Sequence, residues 1–508
     1  VSSARSKVTP SFKHPQQESS TARTLNCDRT QPRQAITASH RGSGRASQHP
    51  LRPYQASLVA DIYSQWESGN RCVLAQLPTG GGKTHVFTHI AKTCCLDGKR
   101  VLVVAHREEL ITQAGGKLST ATGEPVGIIK AGFPFEPKRQ IQVASIQTLV
   151  NRLDEVGDFD LVVIDECHRS IAASYRAILG HYPNALQLGV SATPVRSDGS
   201  GFDDVFDSLV CGPTVRELIE LGHLCRYRLI ADAQQMTTKG VKTTAGEYNQ
   251  KQLAEVNDAV QLAGSIVGSY LGHCQGKKAI VFALNCEHSR AIAAAYNAAG
   301  IPALHLDGNS TPDERKAGLA TFAAGDIQVL CNVGLFTEGF DLPAIEVVQI
   351  ARPTKSVSLW LQMLGRGLRT APGKTEALLL DHTDNWQRLG TPTRPRIWTL
   401  DGLEVEPRET VRKANGEVEE VEPVVIEESP AILQEVEVDP LEEWFDAWSE
   451  MVEMQQQRGY KPGWLTYKLQ ELKPPLEVWQ EAAKHLKYRP GWAWHQFNSS
   501  ASGAEVAA

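Results

Sequence analysis

The sequence is short of the features that would set it apart from an ordinary soluble chain. Its 508 residues hold no run of about 18 apolar residues, which excludes a membrane-spanning helix. No basic stretch leading into an apolar one opens the chain, so a secretory signal is not expected. Ten cysteines are scattered without a Cys-x-x-Cys pair. That argues against a zinc ribbon of ordinary spacing and against a disulfide framework; the expected compartment is reducing and cytoplasmic. Hydrophobic residues make up 41% and charged ones 22%, as in globular proteins, and the length suggests about three domains.

The net charge of −6 is unevenly spread. Residues 1–50 carry eight Lys/Arg against Glu18 and Asp28, a net +6, while residues 401–450 carry 17 acidic groups against Arg408, Arg412 and Lys413, a net −14. The remainder nets +2, so the acidity is local and leaves room for a basic groove elsewhere.

Residues 1–50, rich in Ser, Arg, Gln and Thr, read as a disordered basic segment, with a DNA-tethering arm as the functional alternative. The chain opens on Val1, which leaves this stretch open as an artefact of start-site assignment. Across 51–225, apolar runs (Val73–Ala75, Val101–Ala105, Ile141–Ala144, Leu161–Ile164, Leu186–Val190) alternate with helical patterns. Uninterrupted apolar strands between helices predict a parallel sheet covered on both faces. A second series over 261–400 (Ala279–Ala283, Ala303–Leu306, Val329–Cys331, Val347–Ile350, Ala377–Leu380) predicts another, so the fold class is α/β with two tandem parallel-sheet domains. Residues 226–260 are expected to link them, with Gln234–Gly246 as the hinge. The acidic stretch 401–440 reads as a linker or loose hairpin, and 441–498 as an aromatic-rich accessory module. In that module Tyr460-Lys461-Pro462-Gly463-Trp464 recurs 28 residues later as Tyr488-Arg489-Pro490-Gly491-Trp492. Residues 499–508 read as a disordered tail.

Two motifs carry chemistry. Pro78-Thr79-Gly80-Gly81-Gly82-Lys83-Thr84 lies between a strand pattern and a helical one. Such a loop aims backbone N–H groups and a helix N-terminus at phosphate oxygens; Lys83 would reach the β/γ-phosphates of ATP and Thr84 would hold Mg²⁺. A strict P-loop would have Gly where this chain has Leu77. The second motif, Asp165-Glu166-Cys167-His168, ends the apolar run Leu161–Ile164. There Asp165 can hold Mg²⁺ and Glu166 can polarise the attacking water.

With these residues in place the chain resembles a superfamily-two helicase of the DExH kind from about residue 51 to 400, which implies two RecA-like domains. Arg52-Pro53-Tyr54-Gln55 resembles the adenine-reading segment. His106-Arg107 and Ser145-Ile146-Gln147-Thr148 resemble strand-contacting motifs, and Ser191-Ala192-Thr193 the motif coupling nucleotide site to groove, along with His168. Gly339-Phe340-Asp341 resembles the ribose-contacting motif. Gln362-Met363-Leu364-Gly365-Arg366-Gly367-Leu368-Arg369 fits the pattern Gln-x-x-Gly-Arg-x-x-Arg. The resemblance makes Lys83, Glu166, Gln362, Arg366 and Arg369 the catalytic set, and Arg52, Gln55, Thr79 to Thr84, Asp165, Gly339 and Asp341 the nucleotide contacts. Among relatives, the Asp-Glu-Cys-His box and Leu380-Asp381-His382 resemble RadD-like bacterial and phage repair helicases, with UvsW-like and restriction-translocase branches as neighbours. Two departures stand out. No cysteine follows Cys331, where RadD-like chains often carry a zinc element, and Asn332-Val333-Gly334 replaces the Thr-Asp of RNA-remodelling DEAD-box proteins.

The resemblance implies an ATP-dependent DNA helicase or translocase, in repair or recombination, with ATP and Mg²⁺ as cofactors and nucleic acid, DNA favoured, as partner. An RNA helicase, a restriction motor subunit and a non-enzymatic nucleic-acid scaffold are the alternatives. No membrane partner is expected, and a protein partner is open through the C-terminal module. Cys94-Cys95 and Trp360 read as packing residues, Cys167 as non-nucleophilic, and His168 as a hydrogen-bonding partner of Gln362 or of the Ser191–Thr193 motif.

Overall fold

The computed structural model describes residues 50–106, 108–169, 173–196, 199–231, 236–244, 246–257, 259–337, 345–403, 410–412, 418–420, 434–435, 440–458, 460–489, 492–493 and 496–497. The segment 1–49, Arg107, Gly339, Phe340, Asp341, Pro490, Gly491, Trp494, the tail 499–508 and most of 404–439 lie outside them.

Two sheets organise the chain as tandem RecA-like domains. The first runs, edge to edge, Val126–Ile129, Ile141–Ser145, Val101–Ala105, Leu161–Asp165, Leu186–Ser191, Cys72–Gln76 and Ser208–Cys211, all parallel. In the second, Ala303–Leu306, Val329–Asn332, Ala279–Ala283, Val347–Ala351, Glu376–Asp381 and Arg226–Ala231 run parallel, and Gln434–Glu435 adds an antiparallel edge. The apolar runs follow from burial on both faces. Val101, Val103 and Ala105 enter one core while Leu102 and Val104 enter the other. Ala279, Val281 and Ala283 are likewise separated from Ile280 and Phe282. With side chains alternating across the strand, both sets must be apolar, and the polar alternation of a half-exposed strand disappears.

Every run predicted as a strand lies in one of the two sheets. Among the described residues, the two sheets hold four further strands that carry no such run: Val126–Ile129, Ser208–Cys211, Arg226–Ala231 and Gln434–Glu435. Arg226–Ala231 lies at the start of the stretch read as the linker, yet it pairs along its whole length with Glu376–Asp381. The rest of that stretch holds a small antiparallel hairpin, Thr243–Thr244 with Glu247–Tyr248, and the helix Gln250–Glu255. In the acidic stretch, Thr410–Arg412 pairs antiparallel with Val418–Glu420.

Beyond it, helices Pro440–Gln457, Gly463–Leu472 and Leu476–His485 enclose Trp444, Trp448, Met451, Leu465, Leu469, Val478 and Trp479. Ile397 joins this core, and Arg394 pairs with Glu450, so the helices are anchored to the segment that follows the second sheet. In the repeat, Tyr460 packs on Trp464 (centroids 4.9 Å apart) and Tyr488 on Trp492 (4.5 Å).

Candidate active site

The glycine loop joins the strand Cys72–Gln76 to the 14-residue helix Lys83–Leu96, whose N-terminus opens at the C-terminal edge of the first sheet. Gly80 and Gly82 have φ of 87° and 90°, a region that side chains disfavour. Space forbids a side chain as well. A Cβ on Gly82 would lie 2.4 Å from Gln55 Nε2, and one on Gly80 would lie 2.7 Å from Leu224. The loop is braced from outside: Gln55 Nε2 and the Tyr54 hydroxyl donate to the Gly81 carbonyl at 3.0 and 2.8 Å. Gln55 Oε1 accepts from the Arg52 N–H at 3.0 Å. The buried Gln55 amide, expected to read adenine, here ties the helix cap to the phosphate loop.

Asp165 ends the central strand Leu161–Asp165, and Glu166 follows in the left-handed region at φ 51°, with its N–H donating to Asp165 Oδ1 at 3.1 Å. A non-glycine residue held there costs roughly 1–3 kcal/mol, and such costs gather at functional sites. The turn directs the Glu166 carboxylate at Lys83, with Nζ 3.4 Å from Oε1. His168 Nδ1 lies 3.3 Å from Glu166 Oε2 and 3.1 Å from Ser191 Oγ. On its far side, Gln362 Nε2 is 2.9 Å from His168 Nε2. With the Gln362 amide donating, His168 keeps its proton on Nδ1, facing Glu166 and Ser191. A second crossing lies alongside: the Thr193 and Ser358 hydroxyls are 2.6 Å apart, and Gln362 Nε2 donates to Ser358 Oγ at 3.3 Å. His168, Ser191, Thr193, Ser358 and Gln362 are all buried.

The second domain meets the loop through the helix Val357–Leu364, capped by Ser356. Gly365 at its end has no room for a side chain, since a Cβ would lie 2.6 Å from that of Thr79. Arg369 also reaches the loop, its Cγ 3.7 Å from where a Gly80 Cβ would stand. Arg366 is buried and donates from Nε and Nη2 to the Thr337 carbonyl at 3.1 and 2.6 Å. Gly339 and Asp341, expected to contact ribose, and Arg107, expected to contact the strand, lie outside the described residues.

The remaining expected strand contacts sit on neighbouring strand ends of the first sheet. His106 follows Val101–Ala105, while Ser145 ends Ile141–Ser145 and caps the short helix Ile146–Leu149. Ser145 Oγ lies 3.0 Å from the exposed Gln147 Oε1. Cys167 is fully buried, and that burial pushes its thiol well above the ordinary range, so it packs rather than attacks. Thr84 and Asp165 offer two oxygen donors, the donor type that Mg²⁺ takes alongside water and substrate phosphates. Sequence reading missed Ser358 and Thr337. Ser358 had a signal, since it stands one helical turn before Gln362 and must share its face.

This arrangement has relatives. Residues 48–196 match the family described as Type III restriction enzyme, res subunit, and residues 264–371 the helicase conserved C-terminal domain. A 51.5 kDa protein of a Lactococcus phage is 34% identical over 327 residues, covering 64% of this chain and 68% of the phage protein. A Saccharomyces cerevisiae protein, IRC3, assigned as an ATP-dependent helicase, is 30% identical over 352 residues. That match covers 65% of this chain and 51% of the yeast protein, so the chain spans about half of that relative. Among solved structures, a fragment assigned as the HsdR subunit of a type I restriction enzyme from Vibrio vulnificus aligns with a TM-score of 0.52 at 22% identity, covering 68% of this chain and 67% of that one. The chain belongs to the superfamily-two helicases, ATP-dependent nucleoside-triphosphate hydrolases that act on nucleic acid.

Proposed function

We propose that this chain is a DNA-stimulated ATPase that moves along or remodels DNA in repair or recombination, of the RadD-like kind. One observation carries the mechanism: Glu166, His168 and Gln362 form an unbroken polar line from the nucleotide loop across the interdomain cleft. The group that would activate water is thereby wired to the helix that would report domain closure.

In this reading Lys83 and the loop N–H groups hold the β- and γ-phosphates, while Thr84 and Asp165 would hold Mg²⁺, which supplies charge neutralisation on the phosphate oxygens when bound. Glu166 takes the proton of the attacking water, and the γ-phosphoryl leaves ADP as inorganic phosphate. Arg366 and Arg369 supply cations from the second domain; a group of this kind is worth roughly 10³–10⁵ in rate. Because they arrive from the other domain, hydrolysis is completed only in the closed arrangement. Release of phosphate then lets the grips at His106, Arg107, Ser145 and Gln147 shift relative to the second domain. DNA is favoured over RNA by the restriction-enzyme family match and by Asn332-Val333-Gly334 in place of Thr-Asp. The same match favours, as a second reading, a motor working beside a nuclease partner.

The test is ATP turnover with single-stranded, duplex and forked DNA and with RNA as stimulants. DNA should stimulate strongly and RNA weakly. Stronger stimulation by RNA would overturn the substrate assignment.

A further inference from the structure

The outer edge of the first sheet carries an aromatic pair that takes no part in the ATP site. Its edge strand Val126–Ile129 pairs with Ile141–Ser145 in a register that sets Ile129 beside Ala144. Lys130 and Ser145 therefore leave the sheet level with one another, about 5 Å apart. On the other side of Ile141–Ser145, Ala105 stands beside Ser145, and His106 follows it. His106, Ser145 and Lys130 thus mark the ends of three neighbouring strands.

Past Lys130 the chain turns at Gly132, with φ of 86°, and presents Phe133 and Phe135 on either side of Pro134. Both are surface residues, 36% and 37% exposed. A cation braces each ring: Lys130 Nζ lies 5.5 Å from the Phe133 centroid, and Arg152 Cζ 4.9 Å from that of Phe135. The loop is pinned from below, where Gln142 Nε2 donates to the Glu136 carbonyl and Arg100 Nη2 to the Pro137 carbonyl, both at 2.7 Å. Arg152 follows the short helix that Ser145 caps, and Asn151 Nδ2 fastens this segment to the Gln147 carbonyl at 2.9 Å.

Local charge says what kind of partner fits. Along residues 130–155 the neighbouring charges are Lys130, Lys138, Arg139 and Arg152 against Glu136, Asp154 and Glu155, and Arg139 is already paired with Glu136 at 2.8 Å. So near a balance gives a weak grip on phosphates alone, and a partner must gain chiefly from the rings. Bases stack on aromatic faces whatever their identity, and a cation beside the ring suits the adjoining phosphate. Duplex bases are already stacked on one another, so the partner is a single strand.

We infer that Phe133 and Phe135, braced by Lys130 and Arg152, form a stacking platform for single-stranded nucleic acid that continues the row of His106 and Ser145. This rests on reading that row as the strand-gripping face. The test is fluorescence anisotropy of the full chain with a labelled oligothymidylate and with a blunt duplex. The double variant F133A/F135A should bind the single strand about tenfold more weakly, or worse, and the duplex within about threefold of the unaltered chain. ATP turnover without nucleic acid should be unchanged. Tryptophan at both positions should restore binding and leucine should not, because leucine keeps the apolar surface but cannot stack. To keep a folding defect from deciding the outcome, 5-iodouracil cross-linking of the unaltered chain should label Phe133 or Phe135. Full-strength binding by the alanine variant, rescue by leucine, or cross-links confined to other positions would overturn the platform alone. An unaltered chain that binds no strand at all would instead overturn the underlying nucleic-acid face.

Discussion

Gln362→Ala removes the bond from the second domain to His168 while leaving the phosphate loop untouched. The lost contact is a 2.9 Å hydrogen bond between two buried groups, and the Ser358 contact at 3.3 Å goes with it. Losing one partner of a buried hydrogen bond costs roughly 1–3 kcal/mol. Because Gln362 and His168 stand on different domains, that cost falls on the closed arrangement and not on the folding of either sheet. At about 1.4 kcal/mol per decade, the closed population and the turnover it supports should fall roughly 5- to 150-fold. Alanine also has the higher helix propensity, so the helix Val357–Leu364 should persist. Steady-state ATPase under saturating DNA should show the fall in kcat, while affinity for a fluorescent ATP analogue changes little. A cycle with His168→Ala should show coupling between the two sites. Turnover at the parental rate, or effects of the two substitutions that simply add, would refute the cross-cleft line as the route of coupling.

Other expectations follow from single features. Lys83→Ala should weaken ATP binding and Glu166→Gln should keep ATP while losing turnover, as filter binding and phosphate release will show; parental hydrolysis by Glu166→Gln would remove it as the water-activating group. Burial holds the His288 imidazole down to about 4, with His382 adding to the shift. The unfolded chain therefore binds more protons between about pH 4 and 6.5, and stability should drop across that window as pH falls, by an amount on the order of 3 kcal/mol. His288→Leu should flatten the profile of denaturant midpoints from pH 7.5 to 4.5. A chain ending at residue 400 should still hydrolyse ATP, although it bares Ile397 and loses the Arg394–Glu450 pair. If that shorter chain is folded but inert with saturating DNA, the C-terminal helices belong to the engine.

The parallel-sheet architecture could be read from sequence because both faces of each sheet are covered. Strands such as Val101–Ala105 and Ala279–Ala283 then have no polar alternation to blur them. The missed strands explain themselves. Arg226–Ala231 is apolar only in its second half, where it is buried, and Val126–Ile129 is an edge strand alternating between buried and partly exposed. Gln434–Glu435 is two polar residues long and has no apolar run to mark it in the sequence.

The candidate site divides in the same way. Lys83, Asp165 and Glu166 were legible because their chemistry is local, a glycine turn before a helix and carboxylates after a strand. Sequence by itself therefore determined the class of engine and where its glycine loop and its pair of carboxylates lie along the chain. The pairing of His168 with Gln362 and Ser191 was also expected, whereas tertiary structure alone decided that Thr193 meets Ser358 and Phe135 meets Arg152. It also decided that Gln55 braces the loop and that Arg366 rests on Thr337. The physical reason is that a hydrogen bond or a stacked cation depends on positions within an ångström or so, and partners far apart in the chain get those positions only from the packing of whole sheets and helices.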